Sequence, residues 1–420
     1  MLDAKFIREN EALVRQSLAN RNYDMSVLDR FLEVDRAWRA LTEEGNSLRQ
    51  KRNEVSEQIP TLSKDEKLAK ITEMKAIANR IKEIEDGVKG IEAQRDETLL
   101  NMPNMLDPSV PLGASAEDNP TVKSWGELRK LDFKPLTHWE LGEKLDIIDF
   151  DRGVKITGTG FYVLKGAGAR LERALINFML DLHFDQGYTE LFPPVVINRK
   201  SCVGTGQLPK MQEDMYWIER DDFYLNPTAE VPVTNLYSDE ILDRKQLPIY
   251  HTAYLPSFRR EAGKHIETKG IARVHQFNKV ELVKFVLPET SLAELETLLA
   301  DAEAVLQGLK LPHRVRLLCS ADTGFHSSKT YDIEAYAPGM DQWLEVSSCS
   351  DFKEFQARRA MIKFRREPHL KSEFVHTLNG SGIALPRTMI SVLENYQNAD
   401  GTVTVPEVLR PYMKGMERIE

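Results

Sequence analysis

Two runs of sequence decide the fold: Phe258-Arg259-Arg260-Glu261, and Arg273-Val274-His275-Gln276-Phe277-Asn278-Lys279-Val280-Glu281, which follow one another across a polar, glycine-bounded loop. The pattern predicts two β-strands, on which alternate side chains share a face. The shared faces are predicted to carry Arg259 and Glu261 on the first strand and Arg273, His275, Phe277 and Glu281 on the second. Guanidinium groups, an aromatic ring and carboxylates suit a nucleotide beside an ammonium group. The polar outer face of an ordinary hairpin explains the same pattern, so other segments must decide between the two.

The composition bounds the class of protein. The chain has 420 residues, enough for two or three domains, and it is 41% hydrophobic and 29% charged. No apolar stretch has the length of a membrane span, and the charged start, Met1 to Lys5, lacks the apolar core of a signal peptide. Three separated cysteines, at 202, 319 and 349, argue against a disulfide framework or a structural zinc site. We expect a cytoplasmic protein without membrane contact. Its net charge of -9 requires any polyanion contact to use local basic patches.

The first hundred residues have the pattern of a helical hairpin. Two segments repeat with alternating spacings of three and four: Trp38, Leu41, Gly45, Leu48, Arg52, Val55 and Ile59, and then Ile77, Ile81, Ile84, Val88 and Ile91. Pro60 is predicted to end the first helix, and Ser63 with Glu66 forms a capping box that starts the second. Arms of nearly thirty residues predict a rod of roughly 40 Å. A compact bundle is the alternative, but the narrow apolar seam favours a projecting hairpin.

The rest of the chain reads as a linker followed by a mixed domain. Because 101–120 is rich in proline, we place the arm at 1–105, the linker at 106–125 and the main domain at 126–420. Helices are predicted over 170–183, 292–309 and 386–396, and strands over 216–218, 223–225, 314–318 and 343–346. These helices and strands do not alternate regularly. The order therefore favours an α+β fold with an antiparallel sheet flanked by helices.

Four further segments have unusual residue choices, while a phosphate-binding loop and a dinucleotide fingerprint are absent from the sequence. Gly187–Pro194 follows a long helix, Asn226–Glu230 follows a strand, Glu345–Ser350 ends a strand, and Asn379–Gly382 leads through Pro386 to Arg387 at a helix start. Each segment alone has an ordinary explanation: a rigid proline turn, a surface polar pair, a serine turn, or a glycine loop with positive φ. Their joint presence in this order is what indicates a function.

Together these segments resemble those of the seryl-tRNA synthetases, a family of class II aminoacyl-tRNA synthetases, over essentially the whole chain. Gly187–Pro194 resembles class II motif 1, Phe258–Glu281 resembles motif 2, and Gly380–Arg387, continuing to Tyr396, resembles motif 3. The stretches 203–209, 227–230 and 345–350, and the helical arm, are similar to features of the seryl branch. The resemblance implies an N-terminal antiparallel coiled-coil arm and a class II catalytic domain.

The resemblance also implies an activity, that of an ATP-dependent, AMP-forming serine–tRNA ligase. Such an enzyme activates L-serine to seryl-adenylate and transfers it to the 3′-terminal adenosine of tRNA(Ser). Whether tRNA(Sec) is also charged is left open. Because the serine carboxylate is already ionised at neutral pH, activation needs positioning and charge stabilisation rather than a general base.

The resemblance assigns roles around ATP. Arg259 would bind the α-phosphate and the serine carboxylate, Phe277 would stack on adenine, and Arg387 would reach the γ-phosphate. Glu345 and Ser348 would hold Mg²⁺, a hard ion that prefers oxygen ligands. The implied catalytic residues are Arg259, Glu345 and Arg387. The implied ATP-binding residues are Arg259, Arg260, Glu261, Arg273, Phe277, Glu345, Val346, Ser347, Ser348 and Arg387.

It also assigns roles around serine. Glu230 with Thr228 would bind the ammonium group, and Glu281 and Ser381 would fix the hydroxyl. Next to this site, Glu261 would hold the adenine amino group of ATP or orient its arginine neighbours. The implied serine-binding residues are Thr228, Ala229, Glu230, Glu281 and Ser381. A buried site that pairs the hydroxyl should reject alanine strongly, whereas threonine would be excluded by its methyl group, a weaker device.

The arm would supply the contact with tRNA(Ser). Arg49, Lys51 and Arg52 cluster on it and could grip an RNA backbone, although a solvated helix face explains them equally well. The family resemblance implies a homodimer in which the arm of one subunit serves the active site of the other.

The sequence departs from the family pattern in the motif 2 loop. Residues 262–270 are about one residue shorter than the usual run, and Lys269 stands in place of its last arginine. Asp351 stands where relatives often have asparagine. The grip on the tRNA acceptor end is therefore left open.

Two alternatives come from other functional classes. A non-catalytic RNA-binding paralogue would have lost arginines or carboxylates from the motifs, but Arg259, Glu281, Glu345 and Arg387 are all present. A ligase that charges a carrier protein typically lacks the tRNA-binding arm, which this sequence predicts.

Overall fold

The computed structural model describes residues 1–61, 63–262 and 270–420. These residues form two compact units, one spanning 2–103 and the other spanning 104–420 together with Met1. No helix within the described ranges is both long enough and apolar enough to cross a membrane.

The described residues of the first unit form helices and their connections, without a strand. Its helices are α1 (Ala4–Glu9), α2 (Glu11–Asn20), α3 (Ser26–Gln58) and α4 (Lys64–Leu100). The helices α3 and α4 form the predicted antiparallel pair, held by ion pairs that include Arg49–Glu85 and Arg80–Glu44, each 2.9 Å long. Their 33 and 37 residues exceed the prediction. At 1.5 Å per residue the two helices are about 50 and 55 Å long, so the predicted length was too short.

The heptad seam lies between these two helices, as the spacing predicts. Ile77, Ile81 and Ile84 are buried. Gly45, which interrupts the seam in sequence, belongs to it: a Cβ there would lie 3.2 Å from Ile84 Cγ2, so glycine permits the close approach. Arg52 is exposed and lies outside the seam. The predicted capping box is present, with Ser63 N donating to Glu66 Oε2 at 3.0 Å.

The second unit is mixed. Its helices are α5 (His138–Lys144), α6 (Phe150–Thr157), α7 (Gly166–Asp185), α8 (Arg199–Thr205), α9 (Glu230–Thr234), α10 (Ser291–Gly308), α11 (Phe355–Ala360) and α12 (Leu385–Asn395). Its strands are β1 (Thr121–Trp125), β2 (Ile148–Asp149), β3 (Val163–Leu164), β4 (Thr189–Leu191), β5 (Val196–Asn198), β6 (Trp217–Ile218), β7 (Phe223–Leu225), β8 (Ile241–Asp243), β9 (Ile249–Phe258), β10 (Gln276–Val286), β11 (His313–Leu317), β12 (Lys329–Ala337), β13 (Gln342–Lys353), β14 (Lys363–Arg365), β15 (Glu373–Phe374), β16 (His376–Ala384), β17 (Val403–Thr404) and β18 (Arg418–Ile419).

The main sheet has eight strands among the described residues, in the order β1-β11-β12-β13-β16-β10-β9-β4. All neighbours pair antiparallel except β4, which runs parallel to β9. The predicted α+β class with a largely antiparallel sheet is therefore confirmed. The edge strand β1 consists of residues that the sequence assigns to the end of the linker; the domain boundaries themselves stay predictions.

One local prediction was wrong, and one of the ordinary explanations left open by the sequence is excluded. The serine-rich run 345–350 lies in the middle of β13 rather than at the end of a strand. Gly380 and Gly382 lie within β16 rather than in a loop. Glycine is needed at both positions because helices pack closely behind the sheet. A Cβ on Gly382 would lie 2.5 Å from His183 Nε2 of α7, and one on Gly380 would lie 3.1 Å from Leu298 of α10.

Candidate active site

A cavity of about 660 Å³ opens on one face of the four central strands β12, β13, β16 and β10. Strand alternation presents every second side chain to it, such as Phe277 with Lys279 and Val346 with Ser348, while the intervening residues face away. The predicted residues on its wall are Thr228, Glu230, Arg259, Glu261, Arg273, Phe277, Glu345, Val346, Ser348, Ser381 and Arg387.

The predicted pair of strands at 258–261 and 273–281 is present, but the regular strands are shorter than the alternation of side chains in the sequence suggests. The strand β9 ends at Phe258 and β10 begins at Gln276, so Arg259, Glu261 and Arg273 reach the cavity from beyond the strands. One further backbone bond, from Arg259 N to His275 O at 2.9 Å, holds the two chains together there. The His275 ring packs against Phe161 at 5.4 Å rather than sharing the predicted face.

One end of the cavity, the acidic pocket, consists of Thr228, Glu230, Lys279, Glu281 and Asn379. Glu281 is only 1% exposed and lies just behind the wall. Its carboxylate accepts hydrogen bonds from Thr228 Oγ1 at 2.6 Å and from Asn379 Nδ2 at 2.8 Å, and it contacts Lys279 Nζ. Because a carboxylate offers about four acceptor sites, these three donors fix its orientation and leave room for one more.

Glu230 is the second carboxylate of the acidic pocket and begins α9. Gln356 Nε2 donates to its Oε1 at 2.7 Å, and His326 Nε2 lies 4.0 Å from the same oxygen. Burial, and next the charge of Glu281, raises the pKa of Glu230 to about 7. A buried carboxylate beside another carboxylate is well suited to a cationic ligand.

The other end, the arginine end, consists of Arg273, Phe277, Glu345 and Arg387, together with Arg259, which also donates to Pro227 O beside the acidic pocket and so lies where the two ends meet. The Arg259 guanidinium lies over the Phe277 ring at 5.2 Å. Arg387 Nη1 donates to the backbone oxygen of Glu345 at 2.6 Å and lies 3.4 Å from its Oε2. The Glu345 side chain is 49% exposed. This end therefore offers cations and an aromatic face to an anionic, partly solvated ligand.

Other predicted residues lie away from the cavity wall. Arg260 is exposed and donates to Glu213 O at 3.2 Å. Ser347 is buried on the opposite face of β13 and donates to Ser381 O at 2.6 Å. Ala229 is packed in a core cluster. Asp351 is buried and accepts from Ser291 Oγ at 2.8 Å. The loop 263–269, including Lys269, lies outside the described residues, so its role stays a prediction.

Several cavity residues were missed by the sequence reasoning. Lys279 has the same strand parity as Phe277 and Glu281, so the alternation could have found it. Asn379 stands in one of the unusual segments but received no role. His326 and Asp332 come from segments with no recognisable signal, and only the folding of β11 and β12 beside β13 brings them to the cavity.

The two oxygen ligands expected for Mg²⁺, Glu345 and Ser348, both lie on β13, and the adjacent strand β12 places further carboxylates beside them. In the β12–β13 register Asp332 is opposite Ser348 and Glu334 is opposite Glu345. Asp332 Oδ1 is buried and has no hydrogen-bond partner among the residues that the structure describes, which fits a site that takes up a cation. Burial, and next the charge of Glu345, raises the pKa of the Asp332 carboxyl well above its usual range. No set of three acidic, His or Cys side chains in the described ranges could chelate a metal alone, so substrate oxygens would have to complete the shell.

The comparisons with known proteins bear on both units. Residues 216–396 match the family model of the tRNA synthetase class II core domain (G, H, P, S and T), and residues 1–106 match that of the seryl-tRNA synthetase N-terminal domain. Over 422 residues the chain is 54% identical to the serine–tRNA ligase of Methanosarcina barkeri, with 100% of this chain and 99% of that protein covered. The chain belongs to the seryl-tRNA synthetase family.

Solved members of this family have the same fold. The crystal structure of seryl-tRNA synthetase from Pyrococcus horikoshii complexed with ATP gives a TM-score of 0.95 at 37% identity, covering 100% of this chain and 99% of that one. The cytoplasmic serine–tRNA ligase from Naegleria fowleri in complex with AMP gives 0.90 at 30% identity, with the same coverage. The family and the class II fold predicted from the motifs are confirmed.

Proposed function

We propose that this seryl-tRNA synthetase activates L-serine with ATP and transfers it to the 3′-terminal adenosine of tRNA(Ser). The observation that carries the proposal is a single cavity with an acidic pocket at one end and the arginine end at the other. The acidic pocket suits a small ammonium compound, and the arginine end suits a polyphosphate with a base that can stack on an aromatic ring. Joining them places an amino-acid carboxylate next to a nucleotide phosphate.

Serine fits the acidic pocket through complementary polar groups. Its ammonium group faces Glu230, with Thr228 beside it, and its hydroxyl takes the acceptor site left on Glu281, near Ser381. Arg259 follows β9 at the junction of the two ends, where its planar fork can bind the serine carboxylate and the α-phosphate together. The Ala229 side chain packs in a core cluster, so contact between Ala229 and serine would have to use its backbone.

ATP fits the arginine end. Its adenine stacks on Phe277, and the triphosphate runs toward Arg387, whose guanidinium is held by the backbone oxygens of Glu345 and Ala272. Glu261, which accepts from Arg273 Nη1 at 2.9 Å, orients that arginine beside the base. These contacts position the nucleotide and stabilise its charge.

Magnesium bound here would neutralise charge on the phosphates and hold them in place. Glu345 and Ser348 are the residues proposed to hold it, with Asp332 close by across the β12–β13 pair. Carboxylate and hydroxyl oxygens are the ligands that this ion prefers.

The reaction then needs no protein base. An oxygen of the serine carboxylate forms a bond to the α-phosphorus while the bond to the β-phosphate oxygen breaks, and pyrophosphate leaves. In the second step the 3′-hydroxyl oxygen of the terminal adenosine bonds to the seryl carbonyl carbon, AMP leaves, and the hydroxyl proton is released. Arg259 stabilises charge in both steps because it lies where the phosphate and the carboxylate meet.

The tRNA partner is proposed to bind α3 and α4. Arg49 pairs with Glu85 and Lys51 with Glu73, each at 2.9 Å on the helix surface. Exposed pairs of this kind contribute only about 0–1 kcal/mol, so phosphates can displace the carboxylates at little cost. We also propose a homodimer, in which the arm of one subunit serves its partner, and a cytoplasmic location, which the three free, buried cysteines suit.

The proposal is tested by ATP–pyrophosphate exchange with each amino acid, followed by charging of tRNA(Ser) and tRNA(Sec) transcripts. Serine should support exchange and tRNA(Ser) should be charged. An enzyme that shows no exchange with serine would overturn the proposal. Exchange without charging of either tRNA would favour a ligase that acts on a carrier protein.

A further inference from the structure

We propose that Gln356 is a positioning residue for the amino acid, because its side-chain amide fixes the Glu230 carboxylate in the orientation that receives the ammonium group. Gln356 lies in α11, is 0% exposed and is absent from the cavity wall. It therefore acts through Glu230 rather than by touching substrate. The inference rests on the proposed serine chemistry and deepens it.

Three hydrogen bonds define the position of the Gln356 amide. Its Nε2 donates to Glu230 Oε1 at 2.7 Å and to the backbone oxygen of Thr205 at 3.2 Å. Its Oε1 accepts from Thr377 Oγ1 at 2.8 Å. The amide thus uses both of its N–H donors and its carbonyl oxygen within one buried network.

The orientation of this amide follows from its partners. A backbone carbonyl can only accept, so the nitrogen rather than the oxygen of Gln356 must face Thr205. The same nitrogen then faces Glu230 and supplies its Oε1 with a donor, while Thr377 holds the opposite edge of the amide. Because Oε1 of Glu230 already accepts this hydrogen bond, Oε2 of Glu230 is the oxygen left to bind the ammonium group.

The network ties Glu230 to three separate parts of the chain. Gln356 lies in α11, Thr205 ends α8, and Thr377 lies in β16 two residues before Asn379. A carboxylate held by such a network loses little freedom when a ligand binds, and it cannot turn away from the cavity. The position of the ammonium group is therefore set by residues that the ligand never contacts.

The charges around Glu230 make this role measurable. Glu281 and Lys279 face it from β10, Arg259 from the end of β9, and His326 from the segment between β11 and β12. Burial and Glu281 raise the pKa of Glu230 to about 7, whereas the N–H of Gln356 acts in the opposite direction by favouring the carboxylate. Removing that donor should leave Glu230 protonated to higher pH and should weaken ammonium binding near neutrality.

The test is the KM for serine in ATP–pyrophosphate exchange, measured from about pH 5.5 to about pH 8.5 and expressed as the concentration of the ammonium form of serine, so that titration of the ligand itself does not enter. For the unaltered enzyme, the KM should fall as pH rises through about 7 and then level. In Gln356→Met, which keeps the length but removes the donor, KM at neutral pH should rise roughly tenfold or more. The break in the profile, which is the pH at which the KM stops falling and levels, should move upward by about one pH unit. The KM for ATP, and kcat at saturating serine, should change less than about twofold.

Thr377→Val is the second variant, since it releases the amide edge but keeps Gln356; it should move the break in the same direction by less. A break that stays in place in Gln356→Met, or a loss of kcat and ATP affinity together with serine affinity, overturns the positioning role. If Gln356→Met does not fold, an unmoved break in Thr377→Val overturns it instead. Absence of serine-dependent exchange by the unaltered enzyme at every pH would defeat the proposed function, whereas normal exchange with unmoved breaks would defeat only this inference.

Discussion

The two ends of the cavity are built in opposite ways. In the acidic pocket the side chains are buried and hydrogen-bonded to one another. Glu281 accepts hydrogen bonds from Thr228 and Asn379, and Glu230 accepts one from Gln356. At the arginine end the side chains are partly exposed, and Arg259 and Arg387 donate to the backbone oxygens of Pro227 and Glu345. The first end is fixed before any ligand arrives, while the second can adjust to one.

This difference separates selectivity from charge stabilisation. A rigid, buried polar pocket penalises any ligand that leaves one of its groups unpaired. A partly exposed set of arginines provides attraction for phosphate but little discrimination. We therefore expect substitutions at the arginine end to lower the rate or ATP affinity, and substitutions in the acidic pocket to raise the KM for serine.

The largest effect should come from Arg259, where the two ends meet. Arg259→Lys keeps the charge but removes the planar fork, and kcat/KM for exchange should fall by roughly 10²–10³-fold. Arg260→Lys is the matched control, because the neighbouring side chain is exposed and bonds to Glu213 O. Equal losses in both variants would show that the contrast between these arginines is incorrect.

The acidic pocket is broken by Glu230→Gln, which removes the negative charge without changing the shape. The KM for serine should rise roughly 10- to 150-fold at pH 8, as expected for losing a charged hydrogen bond. Because Glu230 is ionised above a pKa of about 7, the unaltered enzyme should bind serine better as pH rises through that value, and the variant should lose this dependence. A variant that keeps the pH dependence would assign it to another group.

At the arginine end, Phe277→Ala removes the stacking surface for adenine. The KM for ATP should rise up to ~10–100-fold, which corresponds to a stacking contact of roughly 1–3 kcal/mol, while the KM for serine stays nearly constant. Phe277→Tyr keeps the ring and is the control. An unchanged KM for ATP in the alanine variant would remove Phe277 from the adenine site.

Substitution of Glu172 should have the smallest effect on catalysis. It tests whether burial of a carboxylate alone, away from the cavity, can produce the pH dependence of serine binding. Glu172 is buried off the cavity wall, its Oε1 accepts from Asn278 Nδ2 at 3.0 Å, and burial raises its pKa to about 7 as well. Since the folded state binds the extra proton between the unfolded pKa of about 4.3 and this raised value, stability should fall as pH rises through that window. The fall is at most about 1.4 kcal/mol per pH unit.

Denaturant unfolding of Glu172→Gln measures this effect. The variant should gain stability relative to the unaltered protein at pH 8 compared with pH 5, and its KM profile for serine should be unchanged. A shifted serine profile in Glu172→Gln would mean that burial anywhere in the unit, rather than the acidic pocket, sets the pH dependence.

The sequence predicts the features that depend on local pattern. The seam of Ile77, Ile81 and Ile84 and the box of Ser63 with Glu66 are confirmed because periodicity and capping act over a few residues. For Gly380 and Gly382 a positive-φ loop stayed open as an explanation, because close packing of a helix and a positive-φ turn both select glycine and sequence alone does not separate them.

The motifs identify the family, but not the arrangement of the site. Arg259 and Arg260 are adjacent and chemically identical, yet only the first faces the cavity. Gln356 and Asp332 come from segments without a motif, and long-range pairing brings each one to a carboxylate or hydroxyl far away in sequence. Their roles depend on tertiary contacts that no local pattern encodes.

The central claim is that the acidic pocket selects serine by pairing its hydroxyl as well as its ammonium group. The most direct test is the ratio of kcat/KM for serine to that for alanine in ATP–pyrophosphate exchange. A pocket that strands buried polar groups when the hydroxyl is missing predicts a ratio of about 10⁴ or more. A ratio of about 10² or less, which a pocket selecting by size alone would give, would contradict the account.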